Sequence, residues 1–505
     1  MIIRKRFLDT RRVLRKEKET GIFRTKENVQ EKNGGMKMNE KEARNYIAEL
    51  VARARAAQKV AETYTQEQVD RLAGAVCYEI YHNKELIREL AEFAYEETEL
   101  GDVPSKIGKV TGKCRAMWYD VKNVKSVGIT EEIKEKGLVR ISKPVGVIGS
   151  LVPSTQPEMH PIVQTVNVLK ARDAIIFAPH PRGKKTSTKT VDIIRGILKK
   201  YGAPEDLVIC IPEPTVELTN ELMAQSDLVI ATGGQPMVRA AYSSGRPAYG
   251  VGAGNANIVI DSTANLAEAA TKIKNSKTFD LAAGCSCDNA VIIMEDVYDQ
   301  MMEEFAKVGA YKVNAEEKER LLHTIWPTWP DNHVINRDVV AKPAKFIADL
   351  AEIPVPENTC ILLAEETVSG EASPFAGEKM CVTIAIYKAK DLDEAIRIVN
   401  ENQAYSGAGH SCGIYSNTPE NVEKYAMATY TTRVTVNLPN ALTNTGSWVS
   451  GMPATSSLGC GTWGGNICSE NISLKHYMNN TWVIREIPSF EPTDEELWAG
   501  FVPEK

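Results

Sequence analysis

Apolar residues recur at helical spacing through residues 40–122. Ile47, Leu50, Val51, Ala54 and Ala57 share one face, and Val69, Leu72, Ala73 and Val76 share another. Both patterns predict amphipathic helices. From about residue 139 the pattern changes. Short apolar runs at 145–148, 174–177, 207–209 and 228–230 alternate with helical stretches near 159–171, 186–200 and 216–225. Strand–helix alternation of this kind predicts a parallel sheet with helices on both faces. A second series of strands follows at 257–260, 291–293, 383–386 and 434–436. The expected class is therefore α/β, with two such units and a cleft between them where ligands collect. No internal repeat and no low-complexity stretch interrupts it.

Composition narrows the classes. The 505 residues are 43% hydrophobic and 25% charged, as in soluble globular proteins. Sixty basic against 66 acidic residues leave a formal charge of -6, without the basic excess of a nucleic-acid binder. No apolar run reaches the roughly 18–20 residues of a membrane span. Ten cysteines are scattered along a chain long enough to bury a core without disulfides, which points to a reducing cytoplasm. Residues 1–35 stand apart: eleven Lys/Arg and five Asp/Glu give them +6 and leave -12 on the remainder. A seam follows at Gly34-Gly35-Met36, so 1–37 read as a disordered basic tail or an upstream start. The alternative is an amphipathic targeting or docking helix carrying Ile3, Phe7, Val13 and Leu14.

Three glycine-rich turns carry candidate chemistry. Thr232, Gly233 and Gly234 follow a predicted strand and open a helix, where backbone can approach a phosphate. Gly250, Gly252 and Gly254 precede another strand. A third loop runs over 459–466. Cys285 and Cys287 lie just before the strand at 291–293. A Cys-x-Cys pair is half a metal site, but no second pair has zinc spacing and the seven histidines are dispersed, so no metal is expected.

Several motifs in order carry a resemblance. They are Lys143-Pro144-Val145-Gly146-Val147-Ile148, Pro153-Ser154-Thr155-Gln156-Pro157, Ala178-Pro179-His180-Pro181-Arg182, Thr232-Gly233-Gly234, the stretches 250–255 and 279–285, Phe375-Ala376-Gly377-Glu378-Lys379, and 458–471. From about 40 to 480 the chain resembles the aldehyde dehydrogenase superfamily, and within it the CoA-acylating branch. The resemblance implies two Rossmann-like domains with a cleft between them, plus a small β-flap used for oligomerisation. The cofactor-binding domain would comprise 38–124 and 143–248, and the catalytic domain 249–445. The flap and C-terminal segment would comprise 125–142 and 446–505.

The resemblance also implies a reaction: aldehyde, CoA and NAD(P) give acyl-CoA and NAD(P)H. Cys285 falls on the family's nucleophile and Cys287 does not. Thiolate is the reactive form of cysteine, so Cys285 needs a base or a lowered pKa. Its backbone N–H and the Thr155 hydroxyl are the implied oxyanion donors. Thr232, Gly233, Gly234, Gly252 and Gly254 would line the dinucleotide, His180, Pro181 and Arg182 its adenine ribose, and Glu378 its nicotinamide ribose. Arg182, Lys184 and Lys185 add positive charge beside that ribose, which leans the choice between NAD and NADP towards NADP.

One departure separates the branches. Hydrolytic relatives carry a water-activating glutamate in the segment matching 250–255, and no Asp or Glu occurs from 245 to 257. The thioester is therefore expected to pass to CoA. The Cys-Ser-Cys-Asp-Asn loop resembles acylating sulfoacetaldehyde or succinic semialdehyde dehydrogenases, with acetaldehyde or propionaldehyde as the alternative substrates. An anionic aldehyde needs a cation or a nest of donors. Arg115 and Asn289 are the candidates, with Arg239 and Arg246 behind them. A hydrolytic enzyme, an acyl-phosphate reductase and a non-catalytic scaffold are the rival classes. A homodimer or homotetramer is expected, supplied with aldehyde by a partner enzyme. If the pair is enclosed in a bacterial microcompartment shell, residues 1–35 are the candidate address.

Overall fold

A computed structural model describes residues 38–501. The basic tail at 1–37, with its alternative docking helix, lies outside them. Four helices come first: Glu40–Ala61, Gln66–His82, Lys84–Thr98 and Val103–Val121. Each starts where a polar side chain takes an otherwise orphaned amide. Asn39 and Thr65 form capping boxes with Glu42 and Gln68, while Asn83 and Asp102 accept from Leu86 and Ser105 N–H. The faces they bury are the ones spaced in the sequence, except that Val51 is half-buried.

Strands β1 (Gly128–Ile133) and β2 (Leu138–Pro144) pair antiparallel. Then come β3 (Val147–Val152), β4 (Ala174–Pro179), β5 (Val208–Cys210), β6 (Leu228–Thr232) and β7 (Ala248–Val251). They form one sheet in the order β5-β4-β3-β6-β7, parallel throughout. Helices His160–Ala171, Lys184–Lys200, Val216–Gln225 and Gln235–Tyr242 connect successive strands. β3, β4 and β6 are buried at every position, as strands covered on both faces must be. The chain runs outward from β3 to β5, then crosses to β6 and β7. The C-terminal ends of β3 and β6 therefore flank the crevice of a topological switch point.

The second sheet contains β8 (Ala256–Ile260), β9 (Asp288–Met294), β10 (Ala310–Lys312), β11 (Ile361–Glu365), β12 (Thr383–Ala389), β13 (Cys412–Tyr415) and β14 (Val434–Val436). Their order is β10-β11-β12-β9-β8-β13-β14, again all parallel. Its core packs Val291, Ile292, Phe305, Phe375 and Ile384. Finally β15 (Met478–Ile484) returns to pair antiparallel with β2. The chain thus adopts the expected α/β class, with two parallel sheets and a small antiparallel flap. Among the described residues no helix is long and apolar enough to cross a membrane.

Candidate active site

A cavity of about 490 Å³ is lined by residues that follow β3, β6 and β7 and residues that precede β9 and β12. Cys285 stands on its wall, half-buried. Cys287 is 2% exposed and belongs to the hydrophobic core of the second sheet. Both residues line the cavity, but Cys285 is the more exposed and Cys287 is almost wholly covered.

The turn that presents Cys285 is strained. Asp280, Leu281 and Ala282 have φ of 47°, 50° and 65°, three successive non-glycine residues in the left-handed region. Such residues cost about 1–2 kcal/mol each. Asp280 fixes them. Its carboxylate accepts from Asp102 N–H at 3.0 Å and from the Lys109 ammonium, and its own N–H donates to Ser105 Oγ at 3.0 Å. Lys106 Nζ lies 3.6 Å from the same carboxylate. The helix Val103–Val121 therefore holds the cysteine turn through a buried ionic cluster. On the other side a Cβ at Gly254 would lie 1.8 Å from the Cys285 carbonyl oxygen, so only glycine fits there.

His410 faces the sulfur. Its Nε2 lies 3.2 Å from Cys285 Sγ and its Nδ1 lies 2.9 Å from Ser411 Oγ. Asn440 Nδ2 donates to Ser286 O at 2.9 Å and to Ser411 Oγ at 3.2 Å, tying the two loops together. Burial, and then the charge of Glu378, push the Cys285 thiol up to about 12. Burial and the nearby Arg433 guanidinium push His410 down to about 3. At neutral pH the pair is thiol and neutral imidazole. The S–H then donates to Nε2, which leaves the ring proton on Nδ1 to be donated to Ser411. His410 is absent from the residues singled out in the sequence. Locally the sequence offers no more than Gly407-Ala408-Gly409-His410 ending two positions before β13, which does not single out the histidine.

The other sequence candidates divide. Thr155, His180, Thr232, Gly233, Gly234, Gly252 and Glu378 line the cavity. Thr232 Oγ1 is 2.9 Å from Ser457 Oγ. Glu378 is pushed up to about 7 by burial, and it is the one carboxylate among the described lining residues. Gly254 faces the Cys285 backbone instead of open space. Pro181 and Arg182 are exposed next to His180, with Arg182 donating to Thr98 O at 2.9 Å. The cationic edge beside them is not free of carboxylates. Lys184 pairs with Glu213, and Glu97 accepts from the amides of Lys185 and Thr186 at the start of their helix. The lean towards NADP loses its physical ground there.

Two substrate candidates are corrected. Arg115 is exposed and lies over the rings of Tyr81 and Trp448, outside the cavity lining. Asn289 is 3% exposed behind the cysteine loop, where it accepts from Lys277 Nζ at 3.2 Å and donates to Cys287 O at 3.4 Å. Arg239 and Arg246 are exposed and do not line the cavity either. The segment beyond residue 445 does more than build a flap: Gly446, Ser447, Trp448, Ser456 and Leu458 all line the cavity.

The fit to a dinucleotide rests on the switch point. Gly233 and Gly234 leave β6 into a helix whose first turn has no side-chain cap, and a Cβ at Gly234 would meet nothing closer than 3.8 Å. Gly233 N–H donates to Val251 O and Pro236 has none, which leaves the Gly234 and Gln235 N–H groups to face a pyrophosphate. Cys468, Glu470 and His476 bring donor atoms within 4.8 Å of one another. Protein partners account for that cluster: Lys475 pairs with Glu470, and the Ser473 backbone with His476 Nδ1.

Comparison with known proteins agrees with this geometry. Residues 26–321 match the family described as the aldehyde dehydrogenase family. A sulfoacetaldehyde dehydrogenase of Acholeplasma sp is 42% identical over 459 residues, covering 91% of this chain and 94% of that protein. A sulfoacetaldehyde dehydrogenase (acylating) of Bilophila wadsworthia is 43% identical over 458 residues, covering 90% and 98%. The crystal structure of an acetylating aldehyde dehydrogenase from Geobacillus thermoglucosidasius superposes with a TM-score of 0.86 at 33% identity, covering 90% of this chain and all of that one. With a cysteine on the wall of this cavity and matches of this extent, the chain belongs to the aldehyde dehydrogenase family.

Proposed function

We propose that this protein is a CoA-acylating aldehyde dehydrogenase that oxidises an anionic short-chain aldehyde, sulfoacetaldehyde foremost, to its acyl-CoA. The observation that carries the reading is Cys285 on the cavity wall with the buried His410 behind its sulfur, together with the lack of any Asp or Glu from 245 to 257, where hydrolytic relatives place a water-activating base. The names of the two sulfoacetaldehyde relatives support the substrate.

Cys285 Sγ attacks the aldehyde carbon as its proton passes to His410 Nε2. The Cys285 backbone N–H and the Thr155 hydroxyl serve as donors to the developing oxyanion. Bound NAD(P), held by Thr232, Gly233, Gly234 and Glu378, supplies the hydride acceptor. Cys285 then carries the acyl group as a thioester. His410 gives up that first proton to solvent, takes the proton of the CoA thiol as that sulfur attacks, and returns it to Cys285 Sγ as Cys285 leaves. The two C–S exchanges need no water. A thiol near pKa 8.5 needs far less help to ionise than water does. Either nicotinamide cofactor suits the site.

Glu378 supports a second reading. Pushed up to about 7, it is the one carboxylate of the lining, and as a base it can take a proton from water in a hydrolytic step. An aldehyde panel run with and without CoA, against NAD and NADP, separates the two. Turnover that needs CoA and favours sulfoacetaldehyde over propionaldehyde and succinic semialdehyde supports the first reading. Turnover that continues without CoA supports the second.

A further inference from the structure

The helix Val103–Val121 turns one face to the cavity: Gly108, Lys109, Gly112, Lys113 and Ala116 all line it. Both glycines lie in the helix interior, where glycine is unfavourable relative to alanine. A Cβ at either position would meet nothing within 4 Å. Their smallness therefore serves no packing need of the chain. It leaves open space beside Lys113.

The charges in this lining do not balance. Besides the cysteines, its ionisable side chains are Lys109, Lys113, His180 and Glu378. Lys109 is compensated by Asp280. Burial lowers His180, which keeps it neutral. Lys113 donates only to the Thr445 carbonyl, and among the described residues no carboxylate lies within 4.0 Å of its Nζ. The acid that acts on it from a distance, Asp120, is engaged by the Ala454 N–H at 2.6 Å. Burial pushes Lys113 down to about 7, so a bound anion would restore a charge that the empty pocket disfavours. Thr445 and Ser447 also line this part of the wall and can add hydroxyl donors.

We infer that Lys113 is the specificity-determining residue that recognises the anionic tail of the aldehyde, in the space left by Gly108 and Gly112. This rests on the anionic-aldehyde reading above and replaces Arg115 as the group that would select for it.

The test measures kcat/KM for sulfoacetaldehyde and for propionaldehyde in wild type, Lys113→Met and Lys113→Arg, with KM for CoA and NAD recorded alongside. A lost charge-assisted contact predicts that Lys113→Met lowers the sulfoacetaldehyde-to-propionaldehyde ratio by about 10- to 100-fold. Lys113→Arg should keep most of it. Without any variant, ethanesulfonate should compete with the aldehyde in the wild-type enzyme. A wild type that prefers sulfoacetaldehyde, with a ratio unmoved by Lys113→Met, would overturn the assignment to Lys113 and leave the substrate reading standing. An effect of Lys113→Met on KM for CoA or NAD alone would do the same. A wild type that prefers propionaldehyde and ignores ethanesulfonate would overturn both.

Discussion

At neutral pH the sulfurs of Cys285 and Cys287 are both thiols, since burial pushes each up to about 12. Access and partner distinguish them. Cys285 → Ser should lower turnover by more than about 10³-fold, because a serine hydroxyl at this pH is a far weaker nucleophile. Cys287 → Ser should stay within about threefold of wild type, as expected for an inert core thiol. Steady-state rates of the two variants check this, and the reverse ranking would move the nucleophile. His410 → Ala should cost about 10²–10⁴-fold, the usual size of a lost general base. The sign of the pH dependence follows from the raised thiol. Thiolate is the reactive form and its population grows with pH, so alkylation of Cys285 in the free enzyme should rise about tenfold per pH unit from 7 to 9. A plateau below pH 8 would contradict the burial argument. Cys285 was legible in the sequence because its loop keeps a local motif. His410 was not, because it reaches the sulfur from 125 residues away and only the fold brings it there. Arg115 follows from the helix that walls the aldehyde pocket in similar proteins, and Lys113 lies on that same helix. Two residues turn a helix by about 200°, so the two side chains point to opposite sides.

The strands that the sequence revealed are the long apolar ones, such as β4, β8, β9 and β12. Those it concealed are short or mixed. β7, as Ala-Tyr-Gly-Val, merges with a glycine loop, β10 has three residues of which none is buried, and β13 has four buried ones that include a glycine. Short runs that mix glycine, tyrosine or lysine among apolar residues give no clear strand pattern, unlike the equally short but apolar β5. What no pattern shows is the clamp between the helix Val103–Val121 and the cysteine turn. Asp280 → Ala would leave Lys106 and Lys109 buried without their shared carboxylate. It should destabilise the fold by about 3–5 kcal/mol and release the left-handed turn. Denaturant titration and activity, measured together, check that both fall. Gly254 → Ala places its Cβ against the Cys285 carbonyl. Activity should drop sharply for a stability cost of about 1–3 kcal/mol, because the displaced atom belongs to the nucleophile's own backbone.

At the scale of the molecule, the flap ends in an open edge. β15 is the outer strand of its sheet, and Trp482 and Ile484 on it are 45% and 78% exposed. Unpaired strand edges with apolar side chains are templates for association. We expect a homodimer or homotetramer built through β15, and light scattering on the purified protein at micromolar concentration should show it, with a monomer as the contrary result. The central claim concerns the fate of the acyl group on Cys285, and one measurement reaches it directly. Purified enzyme, aldehyde and NAD(P) are mixed, CoA is added after the absorbance of NAD(P)H levels off, and the products are identified by mass. The account predicts no more than about one NAD(P)H per active site before CoA, then sustained turnover with acyl-CoA as product. Sustained turnover before CoA, with a free carboxylic acid accumulating, would contradict it.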